Sequence, residues 1–207
     1  MADLQTWNRG VDDLRTFSFF HRPIMNTVPS RAVNVVDMHR YVTSDFAKEQ
    51  TLQLRAMSSS AEAKKYKATH FDYCTFSGLF NKRNEKDLIT FSELMCIDFD
   101  DVENVNQLKR QLLENEYFDT ELMFTSPSGY GVKWIISVAL QGWKYSRFFQ
   151  SVVNCLDACG LPPVDKSGSD IARSCFLCYD PEAFIHPKYE LHVKENILRT
   201  RLGDAPF

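Results

Sequence analysis

Apolar and polar positions alternate between strand-like and helix-like runs from about residue 91 onward. ELMCIDFD is mostly apolar, as in a strand covered on both faces. NVNQLKRQLLEN follows, with Val105, Leu108 and Leu112 at helical spacing. TELMFTSP is a second strand, stopped by Pro127; SGYG is a turn; VKWIISVAL is a third strand. KYSRFFQSVVNCLDACG carries Tyr145, Phe148, Phe149, Val152, Val153 and Leu156 in one apolar stripe, and Gly160 suits its C-terminal cap. LPPVDKSGSD is a loop, and ARSCFLCYD is the last strand. The order β-α-β-β-α-β is the split βαβ, ferredoxin-like arrangement.

Upstream the pattern is looser. FSFFHRP and AVNVVDM are short apolar patches. From Asp37 to about Arg55 the spacing suits one helix, with Met38, Tyr41, Val42, Phe46 and Leu52 on one side. SSSAEAKKYK is polar, and Ser60 is a candidate cap for a short helix carrying Lys64, Lys65 and Lys67. FDYCTFSGLFNKRNEKD reads as strand, turn and loop, with Gly78 and Asn81 as turn residues. The fold class is α+β. The expected organisation is one domain over 1–207: an N-terminal α/β part to residue 90, a ferredoxin-like part over 91–190, and a tail over 191–207.

Composition adds bounds. Hydrophobic residues make up 44% and aromatics 13%, which is globular rather than disordered. The net charge of −3 excludes a uniformly basic surface, so any contact with nucleic acid must use a local patch. The sequence shows no signal-peptide core and no apolar run long enough to cross a membrane, so the expectation is a cytoplasmic protein with reduced thiols. Of the six cysteines, Cys175 and Cys178 form a CxxC within a predicted strand, and Cys155 and Cys159 fall on a predicted helix. Neither pair has the knuckle turn of a zinc site, so both read as core thiols.

Three constellations carry candidate chemistry. Asp98 and Asp100 end an apolar strand and point to the same face. Two adjacent carboxylates repel unless a cation lies between them, and oxygen ligands suit Mg²⁺ or Mn²⁺. The plainer alternative is a strand end that reaches solvent. SPSGYGVK, residues 126–133, gathers Ser126, Ser128, Gly129, Gly131 and Lys133 between two strands, where backbone amides, hydroxyls and an ammonium can meet phosphate. It is equally an ordinary Ser/Gly hairpin, and it lacks Walker spacing. VDKSGSDIAR places Asp165, Asp170 and Arg173 before the last strand; a surface ion pair accounts for it as well.

The order of these motifs resembles the archaeo-eukaryotic primase (primase–polymerase) superfamily, and is most similar to the VirE-type primase–polymerase-like domain of bacterial mobile elements. The residues that carry the resemblance are TFSGLFNKR (75–83), CIDFD (96–100), SPSGYGVK (126–133) and VDKSGSDIARSCFLCYDP (164–181). The resemblance implies an RRM-like catalytic sheet with an additional N-terminal α/β segment. It implies a DNA primase/polymerase-like nucleotidyltransferase that adds nucleotides from NTP or dNTP by two-metal-ion catalysis with Mg²⁺ or Mn²⁺, in replication of a mobile element. Asp98, Asp100 and Asp165 match the catalytic, metal-binding positions. Ser126, Ser128, Gly129, Gly131, Lys133, Asp170 and Arg173 match the nucleotide-binding segments. Asp170 is an alternative ligand to Asp165, which is preferred because it follows Val164 directly. Lys133 departs from the wider superfamily, where His is usual at that place. A single-stranded DNA template and a downstream helicase-like ATPase domain are the implied partners, with Lys82 and Arg83 as candidate nucleic-acid contacts.

Two rivals stand beside this. One is a catalytically inactive RRM-like domain binding single-stranded nucleic acid or a replication partner, using some of the sixteen Phe and eight Tyr for stacking. The other is a metal-dependent nickase, disfavoured because the five histidines form no HxH or HxxxH pair.

Overall fold

The computed structural model describes residues 15–194; the predicted tail therefore lies outside the described residues from position 195 on. A first group of elements comprises β1 (Phe17–Phe20), β2 (Arg31–Val33), α1 (Val35–Thr43), α2 (Lys48–Arg55), α3 (Ser60–His70), β3 (Tyr73–Thr75), β4 (Gly78–Phe80) and β5 (Leu88–Phe91). A second comprises β6 (Leu94–Phe99), α4 (Val105–Leu113), β7 (Thr120–Thr125), β8 (Val132–Ser137), α5 (Tyr145–Ala158), β9 (Cys175–Phe176) and β10 (Phe184–Ile185). The fold is mixed α+β with antiparallel sheets. One sheet runs β2-β1-β3-β9, another β10-β7-β8-β6, and β4 and β5 form a separate pair.

The helix expected over 37–55 is two helices. Asn34 and Asp37 form a capping box at the start of α1, and Ser44 ends it in extended backbone. The Ser44 side chain then caps a single 3-10 turn, Asp45–Ala47, before α2 begins. The break turns Phe46 and Leu52 outward, to 43% and 55% exposure, so neither belongs to the expected apolar stripe. The cap of α3 is Ser59 rather than Ser60.

The second sheet is built on β8, with β6 and β7 on either side. Strand alternation gives it two buried faces. Met95, Ile97, Phe99, Met123, Trp134 and Ile136 pack against α4 and α5. Leu94, Leu122, Phe124 and Ile135 face the other way and share a core with Phe17, Phe19, Met38, Tyr41 and Cys74 of the N-terminal elements. The two parts of the chain thus close over one common core.

The last predicted strand differs most. Only Cys175–Phe176 is strand, and it pairs with β3 of the first sheet, Tyr73 opposite Phe176 and Cys74 opposite Cys175. The fourth place in the second sheet goes to β10, on the outer edge of β7. β9 therefore joins the sheet of the N-terminal half instead of completing the ferredoxin-like one.

Asp180 fastens the segment after β9. Its carboxylate accepts hydrogen bonds from Lys109 Nζ at 2.7 Å, the Thr125 amide at 2.6 Å and the Glu182 amide at 3.1 Å. Burial would raise this carboxyl, but the hydrogen bonds from Lys109 and Thr125 outweigh it and hold it below its usual range. Such a group stabilises the fold above its unfolded pKa, and the contribution fades as pH falls through the folded value. Asp180→Ala is expected to cost about 3 kcal/mol at pH 7, because it strands a mostly buried ammonium. Urea denaturation of both proteins from pH 7 down to about 3 should show that deficit narrowing below about pH 4; a loss under about 1 kcal/mol at pH 7 would show that the ion pair contributes little.

Candidate functional site

β6 delivers Asp98 to the face that looks toward the N-terminal half, and the antiparallel register sets Lys133 of β8 directly opposite. The two side chains form an ion pair, with Asp98 16% and Lys133 11% exposed. Burial pushes the Asp98 carboxyl up against the pull of Lys133, and the like charges of Asp100 and Asp165 push the same way. Burial would lower the Lys133 ammonium, but the attraction of Asp98 holds it above its ordinary value. The second carboxylate oxygen of Asp98, Oδ1, is buried and has no hydrogen-bond partner. An orphaned anionic oxygen is costly in a folded protein and marks a place where a cation would be welcome.

Asp100, just past the strand end, is exposed. Asp165 reaches the same spot from the loop after α5, because its amide donates to the Asp98 carbonyl at 2.8 Å. It caps a short 3-10 turn and accepts from the Ser167 amide at 2.9 Å and hydroxyl at 2.5 Å. Arg173 Nη2 adds an ion pair at 3.2 Å. Burial works to raise the Asp165 carboxyl, yet the two Ser167 donors, helped by Arg173, hold it below its usual range. One oxygen each from Asp98, Asp100 and Asp165 lies within 4.8 Å of the others. Among the described residues no other group of three or more acidic, His or Cys side chains is so placed. The donors are all oxygen, one is orphaned and one is held anionic; this set fits Mg²⁺ or Mn²⁺.

The hairpin between β7 and β8 forms the next wall. Ser126 donates its amide to the Gly131 carbonyl at 2.8 Å, and Gly129 donates to the Ser126 carbonyl at 2.9 Å. Gly131 is there for closeness: a Cβ would fall 2.3 Å from the Phe99 carbonyl oxygen. Gly129 has φ +87, a conformation that favours glycine. Arg55, at the end of α2, clamps the hairpin from across the molecule, donating to the Pro127 and Ser126 carbonyls at 3.2 Å each. Ser126 is buried, and its hydroxyl pairs with that of Ser128 at 3.1 Å.

These parts border a cleft of about 710 Å³. Of the residues singled out from the sequence, Asp98, Asp100, Ser128, Lys133 and Arg173 line it, and Asp165 adjoins it through Asp98 and Arg173. Ser126, Gly129 and Gly131 shape the hairpin but do not line the cleft. Asp170 does not line it either; its carboxylate accepts from the Ala172 amide at 2.8 Å and terminates the loop. Arg83 lines the cleft and Lys82, exposed, does not. Arg55, Lys64, Lys67 and Tyr130 also line it, together with apolar residues that include Leu54, Met57 and Phe176. Six cationic side chains therefore face two carboxylates around the cleft, in a protein of net charge −3. Burial, and then repulsion from Lys133, lowers the Lys67 ammonium, and among the described residues no carboxylate lies within ion-pair distance of it. Sequence reasoning had no means to find Arg55: it is one basic residue on a helix, 72 positions from the carbonyl it binds.

A mixed α+β protein with three convergent carboxylates in a cationic cleft is the class that fold and site define. The chain belongs to the BT4734-like family, whose N-terminal domain model matches residues 65–184. That span holds all three carboxylates, the hairpin and Arg173, and leaves out Arg55. No curated protein and no solved structure matches the chain. No helix among the described residues is long and apolar enough to cross a membrane.

Lys133→Met tests the electrostatics. Without its partner, Asp98 would have a folded pKa raised further by burial. The penalty of such a carboxyl is full above its folded value and gone below its unfolded one, near 4. The variant is expected to be about 3 kcal/mol less stable than wild type at pH 7, with the gap shrinking on acidification in urea denaturation. A gap independent of pH would mean that Lys133 contributes through packing alone.

Proposed function

We propose that this chain is a primase–polymerase-like nucleotidyltransferase domain that binds an NTP or dNTP in the cationic cleft and transfers its nucleotidyl group to a hydroxyl end, the α–β phosphoanhydride bond breaking and pyrophosphate leaving. The observation that carries the reading is the convergence of Asp98, Asp100 and Asp165 at the edge of a cleft whose other charged lining is cationic. A triphosphate with its divalent cation needs both signs side by side. The sequence resemblance to archaeo-eukaryotic primases, and to VirE-type domains within them, supports the same reading through the order of the motifs that carry these residues.

The residues divide the work by chemistry. Asp98, Asp100 and Asp165 would hold Mg²⁺ or Mn²⁺, which when bound acidifies the attacking hydroxyl and neutralises charge on the triphosphate. Lys133 screens Asp98 in the free protein and is within reach of the same anionic ligand. Arg173, half exposed, already orients Asp165 and has donors left for phosphate oxygens. Arg55 fixes the hairpin wall through two carbonyls, so its role is positioning. Single-stranded DNA as template, a downstream helicase-like ATPase, a role in replicating a mobile element and a cytoplasmic location all belong to this proposal.

One observation favours a second reading. The Lys133–Asp98 ion pair neutralises the most buried of the three carboxylates without any metal. On that reading the cleft binds a nucleotide or single strand and catalyses nothing.

A labelled-nucleotide extension assay with Mg²⁺ or Mn²⁺ on a primed single strand separates the two. We expect product from the wild type and at least a ~100-fold loss in Asp98→Ala/Asp100→Ala, since removing groups that stabilise transition-state charge costs about that much or more. Binding of nucleotide without extension, unchanged in the double variant, would establish the second reading.

A further inference from the structure

We infer that Tyr130 is the base-stacking residue of the cleft, the group by which it distinguishes a nucleotide from a bare polyphosphate. The inference rests on the nucleotide-binding reading above and adds to it the recognition of the base.

Tyr130 stands at the tip of the β7–β8 hairpin and lines the cleft, yet is 69% exposed. A large ring left open to solvent in a cleft contributes little to folding. Among the described residues no other ring and no cation stacks on it. The other aromatic lining the cleft, Phe176, is already engaged: Lys67 Nζ lies 5.7 Å from its ring centroid and Tyr73 packs edge-on at 6.1 Å. Tyr130 thus holds the accessible ring face.

The backbone beneath that ring is pinned at several points. Val102 donates its amide to the Tyr130 carbonyl at 2.8 Å, which ties the tip to the segment just after Asp100 and Asp101. Gly131, the next residue, presses on the Phe99 carbonyl, one position before Asp100. Arg55 braces the other limb of the hairpin. The residue carrying the ring is therefore held in register with the strand that carries the carboxylates. With the polyphosphate drawn to Arg173, Lys133 and the acidic trio, the base of the same ligand is placed to lie against Tyr130. Stacking on an aromatic ring tolerates any base, because each has a π-face, and is strongest for the larger purines.

Calorimetric titration in Mn²⁺ with dATP, dCTP and inorganic tripolyphosphate tests this on wild type, Tyr130→Ala and Tyr130→Phe. The residue is exposed, and thermal melts would verify that each variant is folded. Wild type is expected to bind dATP about tenfold more tightly than tripolyphosphate, with dCTP between, as one base–aromatic stack provides. Tyr130→Phe should keep that preference, and Tyr130→Ala should lose it while binding tripolyphosphate as wild type does. A preference for dATP that survives in Tyr130→Ala overturns the assignment, and so does an equal weakening of all three ligands. If the wild type binds none of the three, the nucleotide reading falls with it.

Discussion

A carboxylate taken out of water must be matched by a positive charge, and Asp98 is matched by the residue directly across the sheet. The β6–β8 register makes that pairing: slipping β6 by one position would turn Asp98, and slipping β8 would turn Lys133, into the packed face against α4 and α5. The alternation that buries Ile97 and Phe99 on one side therefore places Asp98 and Lys133 together on the other. The ion pair leaves one Asp98 oxygen without a partner. The site is poised in this sense: its deepest carboxylate is neutralised but not satisfied.

The rest of the cleft follows from how closely the neighbouring loops approach that strand. The Asp165 loop is hydrogen-bonded to the Asp98 carbonyl, and the hairpin lies against the Phe99 carbonyl through a glycine that leaves no room for a side chain. Both approaches are made through backbone atoms, so they tie the Asp165 loop and the hairpin tip directly to the strand that carries Asp98. The cationic wall comes largely from the other half of the chain, through α2, α3 and Arg83. Asp98 and Asp100 hold down the repulsion among these cations, and Lys67 is left without a carboxylate partner. A polyanion would relieve that imbalance.

How much of this was legible in the sequence depended on the range of the interaction. β6, β7, β8, α4 and α5 were readable because their burial pattern repeats locally. The break at Ser44 was not read, because a single cap residue interrupts a spacing that otherwise continues. β9 was overextended: apolar residues in SCFLCY suggest a strand, but its length is set by β3, about a hundred positions away, which pairs with only two of them. The convergence of Asp98, Asp100 and Asp165 was expected from the motifs, and the geometry brings them together. The part of Lys133 as the partner of Asp98 was not, since register between strands is a tertiary property. The hairpin glycines and Ser126, expected as phosphate contacts, also close and seat the hairpin, which only the tertiary structure reveals.

The claim on which the account turns is that the three carboxylates form a divalent-cation site within reach of a nucleotide. Diffraction from crystals grown with Mn²⁺ and a non-hydrolysable deoxynucleoside triphosphate, collected at the manganese edge, tests it most directly. The account predicts an anomalous peak about 2.0–2.2 Å from oxygens of Asp98, Asp100 and Asp165, by analogy with hard-cation bond lengths, with the polyphosphate beside it and Lys133 turned from Asp98 toward phosphate. Manganese bound elsewhere, with the Lys133–Asp98 pair intact at saturating metal and nucleotide, would contradict it.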